Sequence, residues 1–207
     1  MAIYTTFFLC KPEELPGGFP GWRAPLAAPV QRQFKNPFTG EISTIETRAP
    51  EWPEEEQDAL ERDYQVVAMQ GKYEEYLEGR LPPSVRTCRH WAAKGLTEIE
   101  LSPLAEAVGV EPRFECPLYA PPSSGAMLLE LPPDMLSKLV SQDQSGLQAV
   151  AEKWAARMST PEYTHSVTGV KLNDGWAASE TMEILSPIVA LARQAGVGQR
   201  MYLLIEC

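Results

Sequence analysis

The chain is expected to fold as an α+β protein, with a mixed sheet of about five to six strands and helices packed mainly on one of its faces. Three observations predict this. Strand-like runs come early, at 3–10 and again through 29–48. Helical spacing comes later and is clearest at Leu147, Val150, Ala151, Trp154, Ala155 and Met158, which recur as one face of a 3.6-residue period. The residues MYLLIE at 201–206 then return to an apolar strand pattern. Strands grouped first and then alternating with helices are the α+β order. Residues 1–207 read as one domain carrying an acidic helical insertion at about 51–80, and that length buries a core without disulfide or metal staples.

Residues 3–10 (IYTTFFLC) are β-branched and aromatic, which favours a strand. They lack the basic stretch and small-residue cleavage site of a signal peptide. Residues 11–22 (KPEELPGGFPGW) hold three prolines and three glycines, so a loop is expected, with Phe19 and Trp22 anchoring it to the core. Val30 to Phe34 alternate apolar and polar, Asn36 to Gly40 supply turn chemistry, and Glu41 to Arg48 alternate again. That pattern predicts a β-hairpin.

After Trp52-Pro53 the period changes to one helical face of Leu60, Tyr64 and Val67, which Gly71 breaks. Pro53 suits a first helical turn, and Glu54 to Glu56 suit the positive end of the helix dipole. Tyr73, Tyr76 and Leu77 mark a second short piece ahead of Pro82-Pro83. Residues 87–94 are expected to be a strand. Thr97 and Glu100 have the spacing of a capping box opening a short helix. Residues 110–124 read as a proline-rich crossing loop, and AMLLEL (126–131) as a buried strand. Pro132-Pro133-Asp134 opens a helix with Met135, Leu136, Leu139 and Val140 inward. Ser145 with Gln148 is expected to cap the helix that follows. The final helical stretch runs from about 176 to 195, where Leu185, Ile188, Val189 and Ala192 share a face and Pro187 is expected to kink or restart it. The first and last strands are both apolar, so both are expected to lie centrally, as neighbours.

Charge is the most uneven property of the chain. Its net charge is -10, and residues 51–78 alone hold ten acidic and two basic residues. So acidic a chain lacks the basic footprint of a general nucleic-acid binder. No apolar run approaches the roughly 18 residues a membrane helix needs. Cys10, Cys88, Cys116 and Cys207 are widely spaced with no C-x-x-C, so they read as reduced thiols of a cytoplasmic protein. The two histidines, with no H-E-x-x-H, point to no metal site, and no motif calls for a cofactor.

Glu54, Glu55, Glu56, Asp58, Glu61 and Asp63 can imitate a string of phosphates, and complementary fields speed encounter with a basic partner. A solvated helix face explains the same residues without a partner. Trp52, Tyr73 and Tyr76 are the candidate anchors within that surface. Cys88 and His90, two apart on a strand, share a face and form a possible thiol–base pair. They lack the orienting acid or amide that a triad supplies. His165 stands in a polar loop with Glu162, Tyr163 and Asp174, where a solvated histidine is the simpler reading.

The C-terminal half, 88–207, resembles a loose group of uncharacterised bacterial cytosolic proteins. The carrying features are LELPPDMLSKL (129–139), LQAVAEKWAARM (147–158), LSPIVALARQA (185–195) and MYLLIEC. Some members of that group are suspected immunity proteins of polymorphic toxins. These are core patterns, so the resemblance carries over no site residue. What it implies, with the charge concentration, is a non-enzymatic binding protein that occludes a basic toxin domain. Two further expectations stand beside it: a small enzyme using Cys88/His90 or the His165 loop, and a regulatory or assembly module docking through its acidic helix.

Overall fold

The computed structural model describes residues 4–19, 21–35, 42–52, 88–121, 126–161 and 175–206. The chain is α+β. Among the described residues its main sheet has four strands: β1 (Tyr4–Cys10), β4 (His90–Lys94), β5 (Ala126–Glu130) and β6 (Arg200–Glu206), in the order β4-β1-β6-β5. Two further strands, β2 (Val30–Lys35) and β3 (Ile42–Thr47), pair separately as a hairpin. β1 and β6 are the two central strands and run side by side, from Tyr4 opposite Glu206 to Cys10 opposite Arg200. Every described strand pairing is antiparallel, where a mixed sheet was expected. Helices between strands do not by themselves make a parallel pair: β5 and β6 are joined through helices, yet β6 returns beside β5 in the opposite direction.

Alternation along the strands gives the sheet two different apolar faces. Phe7, Leu9, Leu129, Met201, Leu203 and Ile205 point to one face and pack against the helices. Phe8, Cys10, Leu128, Tyr202 and Leu204 point to the other. The helix layer comprises α2 (Glu98–Ala107), α3 (Pro133–Val140), α4 (Gln144–Met158) and α5 (Ala178–Ala192). α4 packs between α2 and α5, and α5 also meets α3, β1 and β4. The buried residues of α4 are Leu147, Val150, Ala151, Trp154, Ala155 and Met158, the six positions picked out by the period. Trp154 is fully buried, donates its indole N–H to the Glu100 carbonyl at 2.8 Å, and meets the Trp176 ring edge-on at 5.4 Å.

Among the described residues, no long helix packs on the opposite face. The short turn α1 (Leu15–Gly18) and the residues after it cover it instead. Phe19 is buried, 6.1 Å from the Phe8 ring and 4.9 Å from Trp22. The Gly-Pro-rich loop is therefore pinned by its aromatics onto a sheet face.

Local signals were read well at one cap and less well at another. Thr97 Oγ1 accepts from the Ile99 N–H at 3.1 Å, while Glu100 accepts from the Thr97 N–H at 2.7 Å. For α4 the cap is Asp143, not Ser145: its carboxylate accepts from the Gly146 N–H and the Ser145 hydroxyl, both at 2.8 Å. The Gly146 bond is the largest cause holding the Asp143 carboxyl below its ordinary value. Asp precedes Ser by two residues and, ionised, is the stronger acceptor at the positive helix end.

Pro187 does not restart α5, which runs as one helix through it. The residue before it bonds back into the helix, the Ser186 hydroxyl donating to the Met182 carbonyl at 2.7 Å. The same Ser-Pro pattern recurs at Pro103 inside α2, where the Ser102 hydroxyl donates to the Glu98 carbonyl at 2.6 Å.

Candidate functional site

The hairpin stands apart from the core. Ile42, Ile45 and Val30 are exposed, at 66%, 44% and 37% of their surface; the register puts Val30 and Ile45 on one face of the hairpin and Ile42 on the other. A two-stranded sheet is marginal by itself, so something must hold it. Its base is tied down by polar contacts from three sides. Leu26 donates its N–H to the Arg48 carbonyl at 2.8 Å, and the Arg32 guanidinium donates to the Ala49 carbonyl at 2.8 Å. Arg23 donates to the Glu51 carbonyl at 2.7 Å, and its guanidinium lies 4.6 Å above the Trp52 ring. Arg23 is itself bridged by backbone to Tyr119.

These contacts place the entry to the acidic segment. Glu51 and Trp52 are held at the base of an exposed apolar hairpin, with Arg32 and Glu51 also forming a loose ion pair at 3.8 Å. Trp52 is half-buried and engaged by Arg23, so of its ring only part is presented outward. The other expected partner-binding residues, Glu54, Glu55, Glu56, Asp58, Glu61, Asp63, Tyr73 and Tyr76, lie outside the described residues. So do His165 and its neighbours Glu162, Tyr163 and Asp174. Arg23 and Arg32 were missed in the sequence. Their partners lie 28 and 17 residues away, and no local pattern signals such pairings.

Cys88 and His90 do not form a thiol–base pair. The His90 ring Nδ1 faces the Cys88 carbonyl oxygen at 3.0 Å, and His90 is exposed. The Cys88 thiol instead turns towards Cys10 and packs with the loop-covered face of the sheet. Burial raises both thiols. Cys10 is pushed up to about 12, with Cys88 and Glu14 adding to the effect, and Cys88 is raised in the same direction. Burial likewise pushes Cys116 up to about 11. A nucleophilic cysteine needs the opposite environment, one that favours the thiolate.

A pH dependence follows. Above pH 9, the ordinary value for these thiols, an unfolded chain releases protons that the folded chain retains. Stability contributed by keeping Cys10 and Cys116 neutral is thus complete below pH 9 and is lost as pH climbs through 11 and 12. At pH 8 the thiolate fraction of Cys10 should fall about a thousandfold below that of a free thiol. Alkylation with iodoacetamide, followed by peptide mass spectrometry, should find Cys10 and Cys116 the slow sites. Rapid labelling of either in the folded state would contradict the burial described here.

A second polar group lies at the far end of the same face. Glu130 is buried and accepts from the Arg200 guanidinium at 2.7 Å. Both open into a cleft of about 740 Å³ whose rim carries Arg113, Glu115, Asp134 and Lys138. Its charges are largely answered within the protein. Lys138 donates to the carbonyls of Val108 and Gly109 at 3.2 and 2.7 Å, and Arg113 pairs with Glu111 at 3.1 Å. Beside it, the fully buried Tyr202 keeps its hydroxyl without a hydrogen-bond partner among the described residues. Removing a hydroxyl that makes no bond removes its desolvation cost. Tyr202→Phe is therefore expected to leave stability unchanged or raise it by up to about 1 kcal/mol, read from urea denaturation. A loss above that size would mean that the hydroxyl has a partner.

Among the described residues no three His, Cys, Asp or Glu side chains are grouped to hold a metal ion, and no helix is long and apolar enough to cross a membrane. Comparison with protein-family models, with curated proteins and with solved structures gives no match to the chain.

Proposed function

We propose that this chain is a non-enzymatic binding protein that captures a basic protein domain through its acidic segment. The observation that carries this is the placement of charge: ten acidic residues within 51–78, entering at Glu51 and Trp52 from the base of an exposed apolar hairpin. Acidic residues steer a basic partner into encounter, and Val30 and Ile45, exposed on one face of the hairpin, offer apolar area. The raised thiols of Cys10, Cys88 and Cys116 weigh against the competing thiol enzyme. In its specific form the partner is a toxin nuclease whose active site the acidic segment occludes by standing in for nucleic-acid phosphate. That form draws on the resemblance of residues 88–207 to suspected immunity proteins. The chain is expected to act in the cytoplasm.

The test compares wild type with the triple variant Glu54→Lys, Glu55→Lys, Glu56→Lys as bait in host lysate, at low and moderate salt. The reading predicts a stoichiometric basic protein held by wild type at low salt, weakened by salt and absent from the variant. Equal capture of the same proteins by both baits defeats it. A gene for a toxic nuclease beside this one would favour the immunity form over a docking module of some other assembly.

A further inference from the structure

The antiparallel register of β1 and β4 sets Phe8 opposite His90. Continuing that register sets Leu9 opposite Arg89, where the Leu9 N–H donates to the Arg89 carbonyl at 3.1 Å. Carried one residue further, into the bend before β4 where Cys88 lies, the same register sets Cys88 opposite Cys10, at the non-hydrogen-bonded position beside the Leu9–Arg89 pair. Opposed residues there have Cα atoms about 4.5 Å apart, within the roughly 4.4–6.8 Å that a disulfide spans. Both side chains point to the loop-covered face, where they pack in one cluster and their thiols share a hydrogen bond. The two are not joined by a disulfide in this structure.

We infer that Cys10 and Cys88 form a cross-strand dithiol site that closes to a disulfide by exchange with a small-molecule disulfide. Cys88, the more exposed of the two, attacks first as thiolate. It breaks the S–S bond of the reagent, releases one small thiolate and forms a mixed disulfide. The Cys10 thiolate then attacks the Cys88 sulfur and expels the second small thiolate. Two protein thiols lose two protons and two electrons, and the reagent is reduced to two thiols. The buried surroundings make both steps slow, and sulfurs with raised pKa values are poor leaving groups, so the bond once closed is slow to reopen. It acts as a clasp more than as a fast switch. The loop it closes, 11–87, contains the hairpin and the whole acidic segment. The inference does not depend on what that segment binds.

The experiment incubates the folded protein with excess oxidised glutathione at pH 8 and measures intact mass and digested peptides over hours. The expected result is loss of two hydrogens with no retained glutathione, and a crosslinked peptide joining Cys10 to Cys88. Cys88→Ser should abolish the crosslink, and Cys116→Ser should retain it. The oxidised protein should melt higher, on the order of 5–15 °C, because a long loop is closed in the unfolded chain. A stable glutathione adduct on Cys88, a crosslink through Cys116 or Cys207, or no reaction while circular dichroism shows a folded protein would each overturn the inference.

Discussion

Trp154→Ala is expected to destabilise the protein by about 3–5 kcal/mol, the usual range for emptying a buried tryptophan site. The side chain is fully buried on α4, between α2 and α5. Three losses combine. The indole volume leaves a cavity that two flanking helices must collapse into. The Glu100 carbonyl in the first turn of α2 loses the donor that reaches it at 2.8 Å. Trp176, just before α5, loses its edge-on ring partner at 5.4 Å. Trp154→Phe keeps most of the apolar volume and loses the N–H, so it should cost less than half as much. Gln148→Ala, on the exposed side of the same helix, should stay within about 0.5 kcal/mol of wild type. Urea denaturation followed by circular dichroism measures all three. A Trp154→Ala cost near that of Gln148→Ala would mean that the helix layer is not packed as described.

The second large effect concerns recognition. Reversing Glu54, Glu55 and Glu56 to Lys changes the charge of the acidic segment by six units and should slow association with its basic partner by about 10–100-fold at low salt. Dissociation should change far less, since steering acts before contact is made. The difference between wild type and variant should shrink as salt rises and the field is screened. Surface plasmon resonance with the captured partner, over a salt series, reads both rates. An unaltered association rate with faster dissociation would place these glutamates in the contact itself and remove the steering role. Arg23→Ala offers a separate probe of the contacts that hold Glu51 and Trp52 at the base of the hairpin. It removes the bond to the Glu51 carbonyl and the stack on Trp52 without altering any acidic residue.

What could be read from the residues was what repeats at short range. The α4 face was legible because six apolar side chains recur at helical spacing and all of them are buried. The hairpin was legible because turn residues separate two alternating runs, and Val30 does pair with Thr47 and Lys35 with Ile42. The central place of β1 and β6 followed from strands apolar on both faces. What could not be read was set by distant geometry. Strand direction depends on the routes of the connections, so the expected mixed sheet is antiparallel. Ile42 and Ile45 stand three apart in β3 and so point to opposite faces of the hairpin, both exposed, and a strand pattern cannot say whether a partner face exists. Cys10 and Cys88 lie far apart in sequence and meet only through the register of β1 and β4. Arg23 and Trp52 meet for a similar reason, through a turn of chain with no periodic signature.

The central pairing of the sheet also decides when it can assemble. β1 leaves the ribosome about two hundred residues ahead of β6. Until β6 arrives, one long side of β1 has only unpaired N–H and C=O groups, and Phe7, Phe8 and Leu9 face water. Such an edge invites pairing with another chain. Contacts of this separation also slow folding, because a long loop must close before they form. The nascent protein is therefore expected to depend on chaperones that hold β1 until β6 emerges, and a fragment lacking β6 should aggregate where the chain that carries it does not.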